Sequence, residues 1–162
     1  MSVNKVQPHV FVLPEDDANR QLANGFHQQV DRAQQRQMMV LPVAGGWNKV
    51  LNSFESVHAA EMNRCPTRFM VLLIDFDGRE DRLARAKARI PAELIDRVFI
   101  LGSWTKPENL KSAGLGSYTT IGSNLARDCR EDNNTTWGDQ LLRHNASEME
   151  RLRQHVRPIL FP

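Results

Sequence analysis

The feature that most constrains the fold is an uninterrupted apolar run, residues 69–74 (FMVLLI), which leads into Asp75-Phe76-Asp77-Gly78. Strands covered by helices on both faces have such continuous apolar sequences, because neither face meets water. We therefore predict a central strand of a parallel sheet over residues 68–74. The Asp-Gly pair that follows is typical of a turn.

Three other short segments have the composition of strands, since they are rich in β-branched and aromatic residues and bounded by turn formers. They are residues 9–14, 38–43 and 97–101. Apolar residues at helical spacing predict helices between and after them, over residues 19–34, 47–62, 79–89 and 137–157. Residues 112–134 are rich in Gly, Ser and Asn and are expected to be irregular, with a short helix near 121–129. The alternation predicts an α/β fold with a mainly parallel central sheet of about four strands and helices on both faces.

Length and composition agree with one globular domain over residues 1–162, of which 41% are hydrophobic and 25% charged. A formal net charge of +2 excludes a polybasic arm or an acidic tail. No apolar stretch approaches the ~20 residues of a membrane helix, and no secretory signal is visible, so we expect a cytoplasmic protein without a membrane partner. Cys65 and Cys129 lack zinc-site spacing and are expected to be free thiols.

Acidic residues follow two of the predicted strands: Glu15, Asp16 and Asp17 after the first, and Asp75 and Asp77 after the third. Ligands of parallel α/β sheets bind beyond the carboxyl ends of the strands, and neighbouring strands would bring both clusters to one edge. Converging carboxylates repel one another unless a cation lies between them. Mg²⁺ and Mn²⁺ prefer such oxygen ligands, so the pattern favours a divalent metal site.

The spacing of Asp75 and Asp77 suits metal binding, because side chains two residues apart in extended backbone point the same way. Acidic residues after strands are also common as turn formers and helix caps. Asp16 and Asp17 are suitable N-caps for the first predicted helix, so capping and metal ligation both remain open for them.

A second group of candidates surrounds the turn after the second strand. Gly45 and Gly46 would let the backbone approach a phosphate at a helix N-terminus, although a tight turn explains them equally well. Lys49, in the first turn of that helix, is a candidate phosphate ligand, with a solvated lysine as the alternative. His144 is a candidate base, although a lone helical histidine is more often structural.

The order of these motifs resembles the Toprim domain of topoisomerases, bacterial primases and small nucleases, most closely that of the OLD-family nucleases. The segment Pro14-Glu15-Asp16-Asp17-Ala18-Asn19 stands where that group has Glu-Gly-x-x-Asp. Val43-Ala44-Gly45-Gly46-Trp47-Asn48-Lys49 corresponds to its Gly-Gly-Lys-like turn, and Asp75-Phe76-Asp77 to its Asp-x-Asp. Pro107-Glu108-Asn109 fits the Glu-Asn that often follows the fourth strand.

The resemblance covers about residues 8–112 and leaves residues 113–162 as a C-terminal helical extension. It implies Mg²⁺-dependent or Mn²⁺-dependent phosphodiester hydrolysis on nucleic acid, DNA or RNA, by a small stand-alone domain. Domains of this kind often act beside an ATPase protein partner, in defence or repair.

The resemblance also implies a role for each acid. Glu15 would transfer the proton, Asp75 and Asp77 would hold the metal, and Glu108 would be a ligand of a second metal. The sequence departs from the family at Asp16, which replaces a glycine, and at Asn19, which replaces an acid. Asn19 can ligate a metal through its carbonyl oxygen but adds no charge.

Two other functions remain open. The first is a non-catalytic interaction module that keeps the fold and binds a partner through its acidic edge, which the asparagine at position 19 favours. The second is a receiver-like or nucleotide-binding α/β domain. Such domains also gather acids at strand ends, but the lysine that usually follows their last strand has no clear counterpart here.

Overall fold

A computed structural model describes residues 2–162 of the protein and contains one four-stranded sheet. Its strands are β1 (His9–Pro14), β2 (Met38–Val40), β3 (Arg68–Leu73) and β4 (Val98–Leu101). All three strand pairs are parallel, in the order β2-β1-β3-β4. The predicted α/β class with a parallel sheet is therefore confirmed, and the acid-bearing strands β1 and β3 are direct neighbours.

Eight α-helices connect and cover these strands. They are α1 (Asp17–Gln28), α2 (Trp47–Ser53), α3 (Ala59–Arg64), α4 (Arg82–Lys87), α5 (Glu108–Ser112), α6 (Tyr118–Glu131), α7 (Ala146–His155) and α8 (Arg157–Leu160). A π-helical turn, Phe54–His58, joins α2 to α3, and 3-10 turns span Arg32–Gln37, Ile95–Arg97 and Arg143–Asn145. Within residues 2–162 no helix has the length and apolar character needed to cross a membrane.

Each face of the sheet has its own hydrophobic core, because successive strand residues point to opposite faces. Val10 and Val12 of β1 join a core that includes Leu22 of α1, Leu125 of α6 and Leu152 of α7. The intervening residues of β1 join a second core with residues of α2, α3 and α4; these are Phe11, Leu13, Val50, Leu51, Met62 and Ala86. Residues 113–162, expected as an extension, thus supply much of one of the two cores.

The longest difference from the sequence-based expectation is α6, a 14-residue helix within a segment expected to be largely irregular. Its single glycine, Gly122, lies where the helix packs closely against α1. A Cβ atom on Gly122 would lie 2.0 Å from the Leu22 carbonyl oxygen, and one on Gly25 would lie 2.2 Å from that of Thr119. Glycine at both positions lets α1 and α6 cross with their backbones in contact.

Several element boundaries also differ. β2 ends at Val40, three residues before the expected end, although the Leu41 N–H still donates to the Val12 carbonyl at 2.8 Å. The first helix ends at Gln28 and is followed by the separate 3-10 turn. α5, at Glu108–Ser112, is a short helix that was not among those predicted from the sequence.

The predicted last helix begins only at Ala146, because the chain before it turns toward the free edge of β4. The Asn145 carboxamide donates to the Gly102 carbonyl (2.9 Å) and accepts from the Gly102 N–H (3.1 Å). One turn later the Glu148 carboxylate accepts from the Ile100 N–H (2.9 Å), and Arg151 donates to the Val98 carbonyl. Asn145 and side chains of α7 therefore bond the backbone groups at the edge of β4, which would otherwise be open to pairing with another chain.

We expect Glu148→Ala to lower the free energy of unfolding by about 3–5 kcal/mol, as breaking a buried ion pair typically does. Glu148 is 1% exposed and bonds Lys87 at 2.6 Å and Arg151 at 2.9 Å, so its loss leaves two cations and one backbone N–H without their partner. Urea denaturation measures the difference. The control is Glu150→Ala, an exposed acid on the same helix. Equal losses in the two variants would contradict the role assigned to Glu148.

Candidate functional site

The pairing of β1 with β3 brings Glu15 and Asp75 into direct contact at the carboxyl edge of the sheet. The ladder pairs Pro14 with Leu73, and the Glu15 N–H donates to the Leu73 carbonyl at 2.9 Å. The Asp75 N–H then donates to Oε2 of Glu15 at 2.6 Å. The two acids that the sequence placed after separate strands therefore occupy one site.

Asn19 connects this pair to the start of α1. The Asp16 carboxylate caps the helix by accepting from the Asn19 N–H at 2.9 Å. The Asn19 side-chain Nδ2 donates to Oδ1 of Asp16 and to Oδ1 of Asp75, each at 3.0 Å. Asn19 is fully buried, and its Oδ1 has no hydrogen-bond partner within residues 2–162. We call Glu15, Asp16, Asn19 and Asp75 the acidic cluster.

Burial makes ionisation of this cluster unfavourable. Asp75 is 8% exposed. Burial, with the added charges of Glu15, Asp16 and Asp77, raises the pKa of Asp75 from 3.8 to about 7, although the hydrogen bond from Asn19 opposes the shift. The pKa of Glu15 is also raised, chiefly by burial, while the hydrogen bond from the Asp75 N–H opposes the rise.

Asp77 is oriented differently from the expectation. The backbone is not extended here: Asp77 and Gly78 have φ of 51° and 66°, and they turn the chain away from β3. The Asp77 carboxylate, 51% exposed, bonds the Arg82 guanidinium at 2.9 Å. The expectation that the side chains of Asp75 and Asp77 point the same way is therefore wrong, because the chain turns at Asp77.

Arg82 is the cation nearest to the cluster's backbone. Its Nη1 donates to the Asp75 carbonyl as well as to Asp77, both at 2.9 Å. The guanidinium is 4% exposed and lies 4.2 Å from the centre of the Trp47 ring. Arg82 thus anchors the turn beside the acids, a role that its place among the basic residues of a charged helix did not indicate.

The Gly45-Gly46 turn lies beside Glu15. The Ala44 N–H donates to the Pro14 carbonyl at 3.0 Å and the Gly45 N–H to the Glu15 carbonyl at 2.8 Å. Gly45 and Gly46 have φ of 96° and 150°, in the region that favours glycine. A Cβ atom on Gly45 would lie 3.8 Å from Nζ of Lys49, so the exposed Lys49 ammonium folds back over this turn.

Glu108 and Tyr118 lie in the first turns of the two helices that follow β4. Glu108 is in the first turn of α5, and Tyr118 is the first residue of α6. Burial raises the pKa of Tyr118, and the charges of Glu108, Asp16 and Asp75 add to the rise. The sequence analysis missed Tyr118, the single tyrosine of the chain, because no motif contains it.

His144 packs against aromatic rings, at 4.6 Å from the Phe76 ring centre and 5.2 Å from that of Trp104. Burial lowers its pKa, so it is mainly neutral near pH 7. This packing is that of a structural histidine, the alternative given for it from the sequence.

The four acids of the expected metal set, Glu15, Asp75, Asp77 and Glu108, do not converge on one point. Within the described residues, no group of three or more His, Cys, Asp or Glu side chains is arranged to hold a metal ion. The hydrogen bonds explain why: Glu15 is engaged by the Asp75 N–H, and Asp77 by Arg82. The acidic cluster instead contains three carboxylates, those of Glu15, Asp16 and Asp75, and the unpaired carboxamide oxygen of Asn19.

No family model, no curated protein and no solved structure matches this chain. Fold and site together define a parallel α/β protein with a buried acidic cluster at the carboxyl edge of its central strands.

We expect the free energy of unfolding of the metal-free protein to fall as the pH rises from about 4 to about 7 through the titration of Asp75. A native pKa above the unfolded value means that the native state holds the proton more tightly, so stability is lost as the carboxyl ionises. Asp75→Asn lacks this loss and is expected to be more stable than wild type above pH 7 by on the order of 2 kcal/mol.

Urea denaturation across this pH range, in the presence of a chelator, measures the difference. The control is Asp96→Asn, at an exposed aspartate. If the free energy of unfolding of wild type and of Asp75→Asn changed with pH in the same way, ionisation of Asp75 would not destabilise the protein, contrary to this prediction.

Proposed function

We propose that the protein is a Toprim-like nuclease, whose acidic cluster binds Mg²⁺ or Mn²⁺ and hydrolyses phosphodiester bonds of nucleic acid. The observation that carries the proposal is the hydrogen-bonded group at the carboxyl edge of the sheet, in which Asn19 Nδ2 donates to the buried Asp75 and the Asp75 N–H donates to the Glu15 carboxylate, while Asn19 Oδ1 has no partner within residues 2–162. Ligands of parallel α/β proteins bind at this edge.

The chemistry of the donor set suits a hard divalent cation. A buried oxygen without a partner is costly, and Asn19 Oδ1 is such an oxygen within residues 2–162. Ionisation of the buried Asp75 carboxyl is unfavourable, and a nearby cation would stabilise its charged form. Mg²⁺ needs just one or two carboxylates besides water and phosphate oxygens, so Asp75 and Asn19 are sufficient protein ligands. In this proposal Asp77 and Glu108 are the further acids of the site.

Glu15 is the residue proposed to move the proton. When bound, the metal would offset charge on the phosphate and lower the pKa of an attacking water. The raised pKa of Glu15 brings this carboxyl closer to the neutral range in which a general acid or base works best. Its position is fixed by the Asp75 N–H, so it stays directed at the site.

The Gly45-Gly46 turn and Lys49 support a phosphate-bearing substrate. The turn presents backbone without side chains next to Glu15, and the exposed Lys49 ammonium lies over it. A cation beside the acids would attract the phosphate that the carboxylates repel. Nucleic acid, DNA or RNA, is the substrate class that the resemblance implies.

The non-catalytic interaction module remains the second candidate, because Asp77 is already paired with Arg82 and position 19 carries no charge. For the cellular setting we propose the cytoplasm and an ATPase partner. The free thiols of Cys65 and Cys129 agree with a reducing compartment, and the partner rests on the resemblance alone.

Calorimetric titration with Mn²⁺ tests the metal site. We expect wild type to bind and Asp75→Ala to lose binding, because the variant lacks the buried carboxylate of the set. The control is Asp17→Ala, which removes the same charge from an exposed residue that pairs with Arg20. Equal Mn²⁺ binding by wild type and Asp75→Ala would rule out the site and leave the interaction module as the better candidate.

Cleavage of labelled single-stranded and double-stranded DNA and RNA tests catalysis. We expect Glu15→Gln to retain Mn²⁺ binding but to lose about 10²–10⁴-fold in rate, the usual contribution of general acid–base catalysis. Glu93→Gln, at an exposed residue, is the matched control. A rate within about twofold of wild type for Glu15→Gln would remove Glu15 from the mechanism, whatever the metal result.

A further inference from the structure

A groove of about 620 Å³ lies between α7 and the segment that joins α6 to it, in the part of the chain outside the Toprim resemblance. This volume is typical of a pocket for a nucleotide-sized ligand. Its lining includes Asn134, Arg143, Glu150, Arg153, Gln154 and Arg157. None of these residues belongs to the acidic cluster.

Arg153 is held in place at the wall of this groove. Its Nη2 donates to the Asn133 carbonyl at 2.5 Å and to Oδ1 of Asn134 at 2.9 Å. The Asp132 carboxylate, which is largely exposed, is 3.5 Å from Nη1. The Arg153 Nε is buried and has no hydrogen-bond acceptor among the described residues. A guanidinium held in a fixed position loses little side-chain freedom when it binds a ligand.

The other two arginines form no ion pair among the described residues, although two acids, Asp132 and Glu150, also line the groove. Arg157 donates from Nε and Nη2 to one neutral acceptor, the Arg130 carbonyl, at 3.2 and 2.8 Å. Arg143 is exposed. No ion pair of residues 2–162 includes Arg143 or Arg157.

We propose that this arginine groove, formed by Arg143, Arg153 and Arg157, is a phosphate-binding site distinct from the acidic cluster. The planar guanidinium fork matches the oxygens of a phosphate and binds it through two parallel hydrogen bonds. A phosphate would neutralise the charges of Arg143 and Arg157, which form no ion pair among the described residues. Both a free nucleotide and the backbone of a nucleic-acid strand carry this group.

Binding of two probes tests the site: AMP by calorimetry, and a fluorescein-labelled oligothymidylate by anisotropy. Both are measured with EDTA present, so that no metal is bound at the acidic cluster. The result is therefore independent of whether the nuclease proposal holds. We expect Arg143→Gln and Arg157→Gln each to raise Kd about tenfold, the effect of losing one charge-assisted contact. Arg64→Gln, at an exposed arginine of α3, is the control and should change Kd less than about twofold.

Binding of both probes would identify the phosphate group itself as the ligand, and binding of the oligonucleotide alone would identify a strand backbone. Either result supports the site if the groove variants lose affinity and Arg64→Gln does not. Thermal unfolding checks that each variant is folded. If Arg157→Gln is unstable, the result for Arg143→Gln decides the test, because Arg143 forms no ion pair within the described residues. Failure of wild type to bind either probe, or equal Kd for Arg143→Gln and Arg64→Gln, would overturn the proposal.

Discussion

The contact on which the site depends is the hydrogen bond from the Asp75 N–H to the Glu15 carboxylate. It forms because β1 and β3 are parallel neighbours in matched register, so that both chains leave the sheet at the same level. Asp75 then lies within hydrogen-bond distance of Asn19, which links the start of α1 to Asp75. The two hydrophobic cores hold the strands in this register from either side.

Holding acids in this way costs stability, and the surroundings offset only part of the cost. Asn19 supplies donors in place of a further negative charge, and Arg82 bonds the Asp75 carbonyl and Asp77. Asp75 still has a pKa of about 7. Buried ionisable groups with strongly perturbed pKa values are concentrated at functional sites, which is why this cluster carries the proposed function. The arginine groove has the opposite charge, and two of its guanidinium groups are held by neutral oxygens.

The sequence predicted what depends on local pattern. The apolar run over 69–74 and the β-branched run over 9–14 indicated the strands correctly, and parallel pairing implied that their acids would meet. What depends on tertiary contacts could not be read from it. The Gly-, Ser- and Asn-rich composition of residues 112–134 suggested a loop, although Gly122 lies where two helices cross. The Asp-x-Asp spacing suggested extended backbone, whereas the chain turns at Asp77, whose carboxylate bonds Arg82.

The central claim is that the acidic cluster is where a divalent cation binds. Paramagnetic broadening of backbone amide signals by Mn²⁺, recorded on the isotopically labelled wild-type protein, tests it most directly, because the effect falls steeply with distance from the ion. The account predicts that the amides of Glu15, Asp16, Asn19 and Asp75 broaden first, together with those of the Gly45-Gly46 turn. Broadening that begins elsewhere, for example at the exposed Asp132, or uniform broadening across the chain, would contradict it.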